Sequence, residues 1–335
     1  MVVARATLPR AVSEDCGQVT VSRRAELIRR WWQIVRGGSY WHRPQATGHL
    51  FDPNRLAGYG IDLTGKVPYP GARDREGAPL ARMPSGRLAV FPTTVFQLAL
   101  GHWDLWVASA GNEPSHLEAF RRLCDWACAK QDSRGGWPIY PMLRLESASP
   151  YSALSQGQAV SCLVRASDAF GDTRFAAAAA AAFDCLVTAI PAGGTARRLP
   201  GGGMVLEEYP AEPPITVLNG WIFALLAVHE ARLFGLPGAA EAYAASEPAL
   251  AGSLRRFDAG IWSRYDTSGN LASPFYHRLH VAQLTVLERL QPERATYHYY
   301  RGRWGRQSAS SPNTAFAVAW KAFQQLRHPP HRPLR

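Results

Sequence analysis

Residues 153–170 read ALSQGQAVSCLVRASDAF and lead, through a short turn, into a second apolar stretch at residues 174–189. In the first stretch apolar residues recur at spacings of three and four, the period that buries one face of a helix. A short connection between two helices favours antiparallel packing. This part of the chain therefore predicts an antiparallel helical hairpin.

The same pattern recurs about every 60 residues, with opening helices that begin near Thr94, Ala153, Ile215 and His277. The predicted second helices are residues 116–130, 174–189, 238–257 and 313–326. Repetition at a fixed period is typical of an array of one supersecondary unit, in which each unit buries its apolar face against its neighbours. Alternation typical of strands is scarce after residue 95. We therefore predict an all-α fold, an incomplete (α/α) toroid of about four helical hairpins whose loops carry the active surface.

The first 90 residues differ in composition. The basic stretch RRAELIRRWWQIV, residues 23–35, predicts a short helix, and residues 37–87 are rich in Gly, Pro and Tyr. Such composition favours irregular loops with one or two short strands, wrapped against the helical body. We predict a small N-terminal segment at residues 1–90, the toroid at residues 91–328 and a basic tail at residues 329–335.

Composition narrows the classes of partner. The chain has 335 residues, of which 47% are hydrophobic, enough for one large core. Its apolar runs are too short to span a membrane and its start lacks a secretory pattern, so we expect a cytoplasmic protein. The net charge of +11 favours an acidic partner, whether nucleic acid, a membrane surface or an acidic polysaccharide, and the alternative is that the basic ends of the chain are only solvated. No recognised nucleic-acid-binding motif is present, and charge alone does not choose between the other polyanions.

We expect neither a metal nor an organic cofactor. The five cysteines include no CxxC pair, and buried free thiols are common. His277 and His280 lie close enough in sequence to share a metal, but the sequence offers no further ligands for one.

Three acid–base side chains stand together in the loop LPGGGMVLEEYPAEPPITVLNGW, residues 199–221. Glycines and prolines stiffen this loop before the third opening helix, so Glu207, Glu208 and Tyr209 are displayed at a helix start. Adjacent carboxylates beside a phenol suit proton transfer once their neighbours tune them. The alternative is that the acidic pair only stabilises the positive end of the helix dipole.

Polar side chains also fall on single stripes of two opening helices. Tyr276, His280 and Gln283 share one face of the fourth, which suits a wet cavity better than a dry core. Tyr151, Gln158, Cys162 and Arg165 share a stripe of the second, where Gly157 allows a neighbour to approach closely. Arg165 pairs either with a substrate carboxylate or with an acid inside the protein, and we favour the internal pair.

Five stretches together resemble the D-glucuronyl C5-epimerase family, whose members act on glucuronate within heparan-type polysaccharides. They are GGWPIY at 135–140, YSALSQGQAVSCLVRA at 151–166, EEYP with PxxVLNG at 207–220, YDTSG at 265–269 and YHxxHxxQL at 276–284. The stretch FPTTVFQLALGHW, which starts at Phe91, is similar to a helix of the family. Order and spacing agree across residues 90–290, which is more specific than any single stretch.

The resemblance implies an (α/α) toroid and a uronate C5-epimerase that converts D-glucuronate units to L-iduronate. Such a reaction needs two opposed proton-transfer groups and positive charge or donors aimed at the carboxylate. Position by position, the catalytic groups are Glu208 and Tyr276 as the opposed pair, with Tyr209 assisting. The residues predicted to bind the uronate are Tyr151, Gln158, Arg165, Asn219, Arg278 and His280.

The chain departs from the family in two places. Animal members carry a Tyr-Asp-Leu-Arg-His stretch after the YDTGSG motif, whereas this chain runs from YDTSGN through LASPF to Tyr276 without it. The substrate carboxylate must then be neutralised by another residue, either Arg278 or an arginine of the N-terminal segment. The large β-domain of those enzymes is also absent, so either the chain takes shorter or differently presented glycans or a second subunit of a homodimer completes the cleft.

Two other functions fit the same residues. A polysaccharide lyase on the same toroid shares the abstraction of the C5 proton and then expels the group at C4. The second alternative is a non-catalytic protein that binds acidic glycans, since eleven tryptophans and twelve tyrosines offer many stacking surfaces. A glycoside hydrolase is disfavoured, because Glu207 and Glu208 are adjacent in the chain and cannot span a scissile bond.

Overall fold

A computed structural model describes residues 42–83 and 85–327, and within them the chain is mainly helical. The predicted basic helix at residues 23–35 and the tail at residues 329–335 lie outside this range. The helices are α1 (Pro92–Ala108), α2 (Pro114–Lys130), α3 (Tyr140–Leu143), α4 (Ala153–Phe170), α5 (Thr173–Val187), α6 (Leu218–Phe234), α7 (Ala239–Ser253), α8 (Pro274–Leu290), α9 (Ala295–Ala309) and α10 (Ser311–Arg327). The all-α prediction is confirmed.

Two short antiparallel hairpins complete the regular structure. Strand β1 (Leu80–Arg82) pairs with β2 (Leu88–Val90), and β3 (Ala196–Arg198) pairs with β4 (Met204–Leu206). The first hairpin lies in the Gly- and Pro-rich segment, where the sequence predicts short strands. No helix in the described part of the chain is long and apolar enough to cross a bilayer.

The helices pack as four antiparallel hairpins, α1 with α2, α4 with α5, α6 with α7, and α8 with α9. The first helices also pack side by side, α1 on α4, α4 on α6, and α6 on α8. Burial follows this arrangement: α4 is buried without interruption from Ala153 to Ala166, whereas α5 buries only one face. A helix buried all round has neighbours on every side, so α4 belongs to an inner row.

Close packing between α4 and α6 depends on Gly157. A Cβ atom at this position would lie 3.0 Å from the Cα atom of Ala224 in α6. Any larger residue would push the two helices apart, because interiors are already close-packed. The predicted close approach at Gly157 is confirmed.

The fourth hairpin differs from the prediction. Its second helix is α9, and the predicted partner at residues 313–326 is instead the separate helix α10. In α9 the buried side chains are Tyr297, Tyr300, Trp304 and Gln307, which recur at helical spacing among three arginines. The buried face of this helix is aromatic and polar rather than aliphatic, and the rest of the helix is highly charged. The helical period is therefore hard to recognise in the sequence.

Residues 51–63 cover the C-terminal halves of the four inner helices, α1, α4, α6 and α8. The indole Nε1 of Trp103 in α1 donates to the carbonyl of Ala57 over 2.9 Å, and His229 in α6 lies 2.8 Å from the carbonyl of Pro53. Arg289 in α8 donates to the carbonyl of Phe51 over 2.6 Å. With that end closed, the N-terminal ends of the inner helices are left to form a cavity.

Candidate active site

A cavity of about 410 Å³ lies at the N-terminal ends of α1, α4, α6 and α8. Each of these helices contributes side chains from its first turns or its N-cap, and β1 and residues 139–143 supply another part of the wall. The N-terminal end of a helix carries partial positive charge and unpaired N–H groups. Four such ends around one cavity favour an anionic ligand.

The two adjacent glutamates of the predicted acid–base loop have different surroundings. Glu207 is fully buried and accepts hydrogen bonds from Thr216 Oγ1 over 3.0 Å and from Arg197 Nε over 3.2 Å. Glu208 faces the other way and lines the cavity. In extended chain, successive side chains point to opposite sides. Glu207 therefore holds the loop in place, and Glu208 is available for chemistry.

Glu208 is held by two donors. Asn219 Nδ2 donates to its Oε2 over 3.2 Å, and the hydroxyl of Tyr265 donates to its Oε1 over 3.4 Å. Burial raises the pKa of Glu208 to about 7, although both hydrogen bonds act to lower it. Gly220 makes room for this carboxylate, since a Cβ there would lie 2.2 Å from Oε2.

Tyr276 lines the same cavity from the first turn of α8. This turn is fixed by Pro274 at its start and by Ser273, whose Oγ accepts from the backbone N–H of Tyr276 over 3.4 Å. The hydroxyl of Tyr276 lies 3.5 Å from Nε2 of His42. Burial and the charge of Glu208 raise the pKa of Tyr276 above its usual value, so the phenol is neutral at physiological pH.

Two further tyrosines lie next to Glu208 and Tyr276, and neither was predicted from the sequence as a site residue. The ring of Tyr265 lies 4.8 Å from that of Tyr276, centroid to centroid. Tyr140 lines the cavity, and its hydroxyl donates to the backbone carbonyl of Glu208. Both belong to stretches that resemble the family, YDTSG and GGWPIY, and that position was the only signal available. Neither lies on a helical stripe that could have indicated its direction.

Tyr209 and Tyr151, predicted to assist and to bind, are not part of the cavity wall. The hydroxyl of Tyr209 donates to the carbonyl of Glu146 over 2.5 Å, and its ring packs edge-on against Tyr140. The hydroxyl of Tyr151 donates to Asp132 over 2.6 Å. Both phenols therefore form hydrogen bonds within the protein, and in this geometry they lie outside the cavity wall rather than facing a ligand.

The two predicted arginines also lie away from the cavity. Arg165 is 1% exposed and pairs with Glu230 over 2.7 Å, and it donates to the carbonyl of Ser161 over 2.9 Å. The internal acid of the favoured alternative is thus Glu230. Arg278 is exposed on α8 and is not among the residues of the cavity wall.

Gln158 and His280 are fully buried below the cavity. Nδ1 of His280 lies 2.9 Å from Ser263 Oγ, and its Nε2 has no hydrogen-bond partner among the described residues. The side-chain amide of Gln158 likewise has no hydrogen-bond partner in the part of the chain that the structure describes. Of the six predicted binding residues, Asn219 is the one that the structure places on the cavity wall.

Among the described residues of the cavity wall, Arg82 is the only arginine or lysine. It extends from β1, and its guanidinium donates to the carbonyl of Gly86 over 2.9 Å. His42 also lines the cavity, and burial and the charge of Lys66 lower its pKa to about 4. His42 is therefore neutral at pH 7, and the permanent positive charge on this wall comes from Arg82.

The described residues provide no metal-binding cluster of three or more His, Cys, Asp or Glu side chains. What the cavity does provide is a carboxyl group that titrates near neutrality, a neutral phenol and an arginine. Groups with separated pKa values can act as base and acid in one site. The cavity is therefore suited to proton transfer on an anionic ligand.

The fold and the cavity together define the class: a protein built from helical hairpins, with a candidate acid–base site at the N-terminal ends of their first helices. The family model described as D-glucuronyl C5-epimerase C-terminus matches residues 131–306, which is more than half of the chain. The matched range contains Glu208, Tyr265 and Tyr276. The chain belongs to this family.

A curated relative from Caenorhabditis elegans, named D-glucuronyl C5-epimerase, is similar to this chain. The two are 30% identical over 193 residues, a match that covers 50% of this chain and 31% of the relative. The chain thus corresponds to about a third of the length of that relative.

Proposed function

We propose that the chain is a uronate C5-epimerase that converts D-glucuronate units to L-iduronate within an acidic polysaccharide or its precursor. The observation that carries the proposal is that Glu208 and Tyr276 line one cavity with separated pKa values. At pH 8 Glu208 is mostly ionised and serves as the base, while Tyr276 is protonated and serves as the acid. Membership of the family and the name of the C. elegans relative support the same reaction.

The reaction moves two protons. Glu208 takes the proton from C5, and the electron pair of the broken C–H bond moves into the adjacent carboxylate, giving a dianionic intermediate. Tyr276 then donates its hydroxyl proton to the opposite face of C5, which completes the inversion. The intermediate is the costly species, so catalysis requires donors or positive charge directed at the carboxylate.

We assign the neutralising charge to Arg82. The sequence leaves a choice between Arg278 and an arginine of the N-terminal segment, and of those within the described residues Arg82 lies on the cavity wall. The N-terminal ends of four helices add partial positive charge around the same space. We also propose that the hairpins form the predicted incomplete (α/α) toroid, because their first helices pack side by side in chain order.

The test is isotopic. Glucuronate-containing polysaccharides are incubated with the protein in deuterated water, and NMR follows the entry of deuterium at C5 and the appearance of iduronate. Label together with iduronate supports the proposal. Ultraviolet absorbance of an unsaturated uronate would instead identify a lyase, and binding without label or absorbance would identify a non-catalytic glycan-binding protein.

The activity should depend on pH through Glu208. Its pKa is raised to about 7 by burial, and the base must be ionised. We therefore expect kcat/KM to fall about tenfold per pH unit below pH 7 and to level off above it. Asn219→Ala removes a hydrogen bond that lowers this pKa, so its acidic limb should move to higher pH. A wild-type limb near pH 4.5 would show that another group is the base.

Replacing Arg82 should weaken binding of the uronate and of its transition state. A hydrogen bond to a charged group contributes about 1.5–3 kcal/mol, so we expect Arg82→Gln to lower kcat/KM by about 10–100-fold. Steady-state kinetics measures the loss. Arg87→Gln is the matched control, because Arg87 is an exposed arginine of the same β-hairpin that is absent from the cavity wall. Equal kinetics for the two variants would contradict the assignment.

A further inference from the structure

Tyr265 contacts both members of the proposed catalytic pair. Its hydroxyl donates to Glu208 Oε1 over 3.4 Å, and its ring lies 4.8 Å from that of Tyr276, centroid to centroid, close enough for its hydroxyl to act to lower the pKa of that phenol. It is not part of the cavity wall, so it reaches the two groups from behind. The backbone of Tyr265 is fixed on both sides: its N–H donates to the carbonyl of Asn270 over 2.7 Å, and its carbonyl accepts from Leu218 over 3.1 Å.

The proposed reaction creates a need for such a link. One forward turnover leaves Glu208 protonated and Tyr276 deprotonated, which is the form competent only for the reverse reaction. The next forward turnover requires a proton to travel from Glu208 to Tyr276. Both groups line a cavity that a polymeric substrate would occupy, and a bound polymer would hinder their direct exchange with bulk water.

We propose that Tyr265 is the proton relay that resets the enzyme between turnovers, an inference that rests on the proposed function. Tyr265 gives its hydroxyl proton to the phenolate of Tyr276 and takes the proton of the Glu208 carboxyl. One O–H bond forms and one breaks at Tyr265, one forms at Tyr276 and one breaks at Glu208. The relay residue ends as it began, and no co-reactant is needed.

The direction of transfer follows from the two end groups. The pKa of Tyr276 lies above 10 and that of Glu208 is about 7, so moving the proton to Tyr276 is downhill. Burial and the charge of Glu208 raise the pKa of Tyr265 well above its usual value. Tyr265 is therefore a neutral phenol at rest, with a proton to give and an oxygen to accept one.

The experiment separates resetting from chemistry. Tyr265→Phe keeps the ring and removes the hydroxyl, and kinetics are measured at pH 9, where Glu208 stays ionised even if its pKa rises. With enzyme in excess, a single turnover needs no reset, so its rate should stay within about twofold of the wild type. In steady state at low buffer concentration, kcat should fall by at least about tenfold and recover as a small amine buffer is added. Tyr243→Phe is the control, because it removes another buried phenol, bonded to Gln291 away from the cavity.

Three results would overturn the relay. An unchanged kcat without buffer dependence would mean that the pair exchanges protons with solvent directly. An equal loss in single-turnover and steady-state rates would mean that Tyr265 only positions Glu208. If the wild type produces no C5 exchange on any glucuronate polymer, the proposed function itself fails and the relay fails with it, a result that the wild-type control distinguishes from the other two.

Discussion

Glu208→Gln should slow deuterium entry at C5 by about 10²–10⁴-fold, because the amide has nearly the shape of the carboxylate and cannot take a proton. Tyr276→Phe should reduce the formation of iduronate to a similar degree, because phenylalanine keeps the ring in the first turn of α8 and has no hydroxyl proton to donate. The measurement is NMR of the C5 position in deuterated water, with circular dichroism to verify folding.

Glu212→Gln provides the matched control for this pair of variants. Glu212 lies in the same loop as Glu208, is 62% exposed and forms an ion pair with Arg197. Its replacement should change the rate by less than about twofold, because exposed ion pairs contribute little. Wild-type exchange in both Glu208→Gln and Tyr276→Phe would exclude this carboxylate and phenol as the acid–base pair.

The repeating helical pattern predicts the hairpins correctly where the buried face of each helix is aliphatic. Three predicted hairpins appear within a few residues of their expected positions, because apolar residues at helical spacing must be buried. The prediction is wrong at α9, where the buried side chains are Tyr297, Tyr300 and Trp304 between arginines. The helical period is present in α9, but aromatic rather than aliphatic residues mark it, and a pattern of aliphatic residues alone does not detect it.

For the site residues, sequence-based prediction fails for a different reason. A helical stripe tells which residues share a face, but it does not tell which end of the helix meets the cavity. Arg165 lies twelve residues after Ala153, which corresponds to about 18 Å along the helix axis. At that height α4 meets residues 57–58 and Glu230 rather than the cavity.

Residues on loops were the hardest to predict. Glu208 and Tyr276 follow from motifs, and Asn219 from its position in one of them. Tyr265 and Arg82 come from a loop and a short hairpin with no periodic pattern, so only the three-dimensional arrangement relates them to Glu208. The missing Tyr-Asp-Leu-Arg-His stretch predicted that an arginine must come from elsewhere, without identifying Arg82.

Glu230→Gln should lower the free energy of unfolding by about 3–5 kcal/mol, the largest stability effect that we expect. The pair of Arg165 and Glu230 is almost fully buried, at 1% and 4% side-chain exposure. Arg165 also donates to the carbonyls of Ala57 and Gly58, so it joins α4 to the segment that covers the inner helices. Removing the acid leaves a buried cation without its counter-charge, and the desolvation cost is no longer offset.

Chemical denaturation with urea measures this loss of stability. Two further variants serve as controls. Arg55→Gln breaks an ion pair with Asp52 whose arginine is 77% exposed, and it should cost less than about 1 kcal/mol. The double variant Arg165→Met with Glu230→Gln removes the charge together with its partner, so it should be less destabilised than Glu230→Gln alone. If the single and double variants unfold at the same urea concentration, the uncompensated charge of Arg165 is not the source of the loss, and the packing between α4 and α6 must account for it instead.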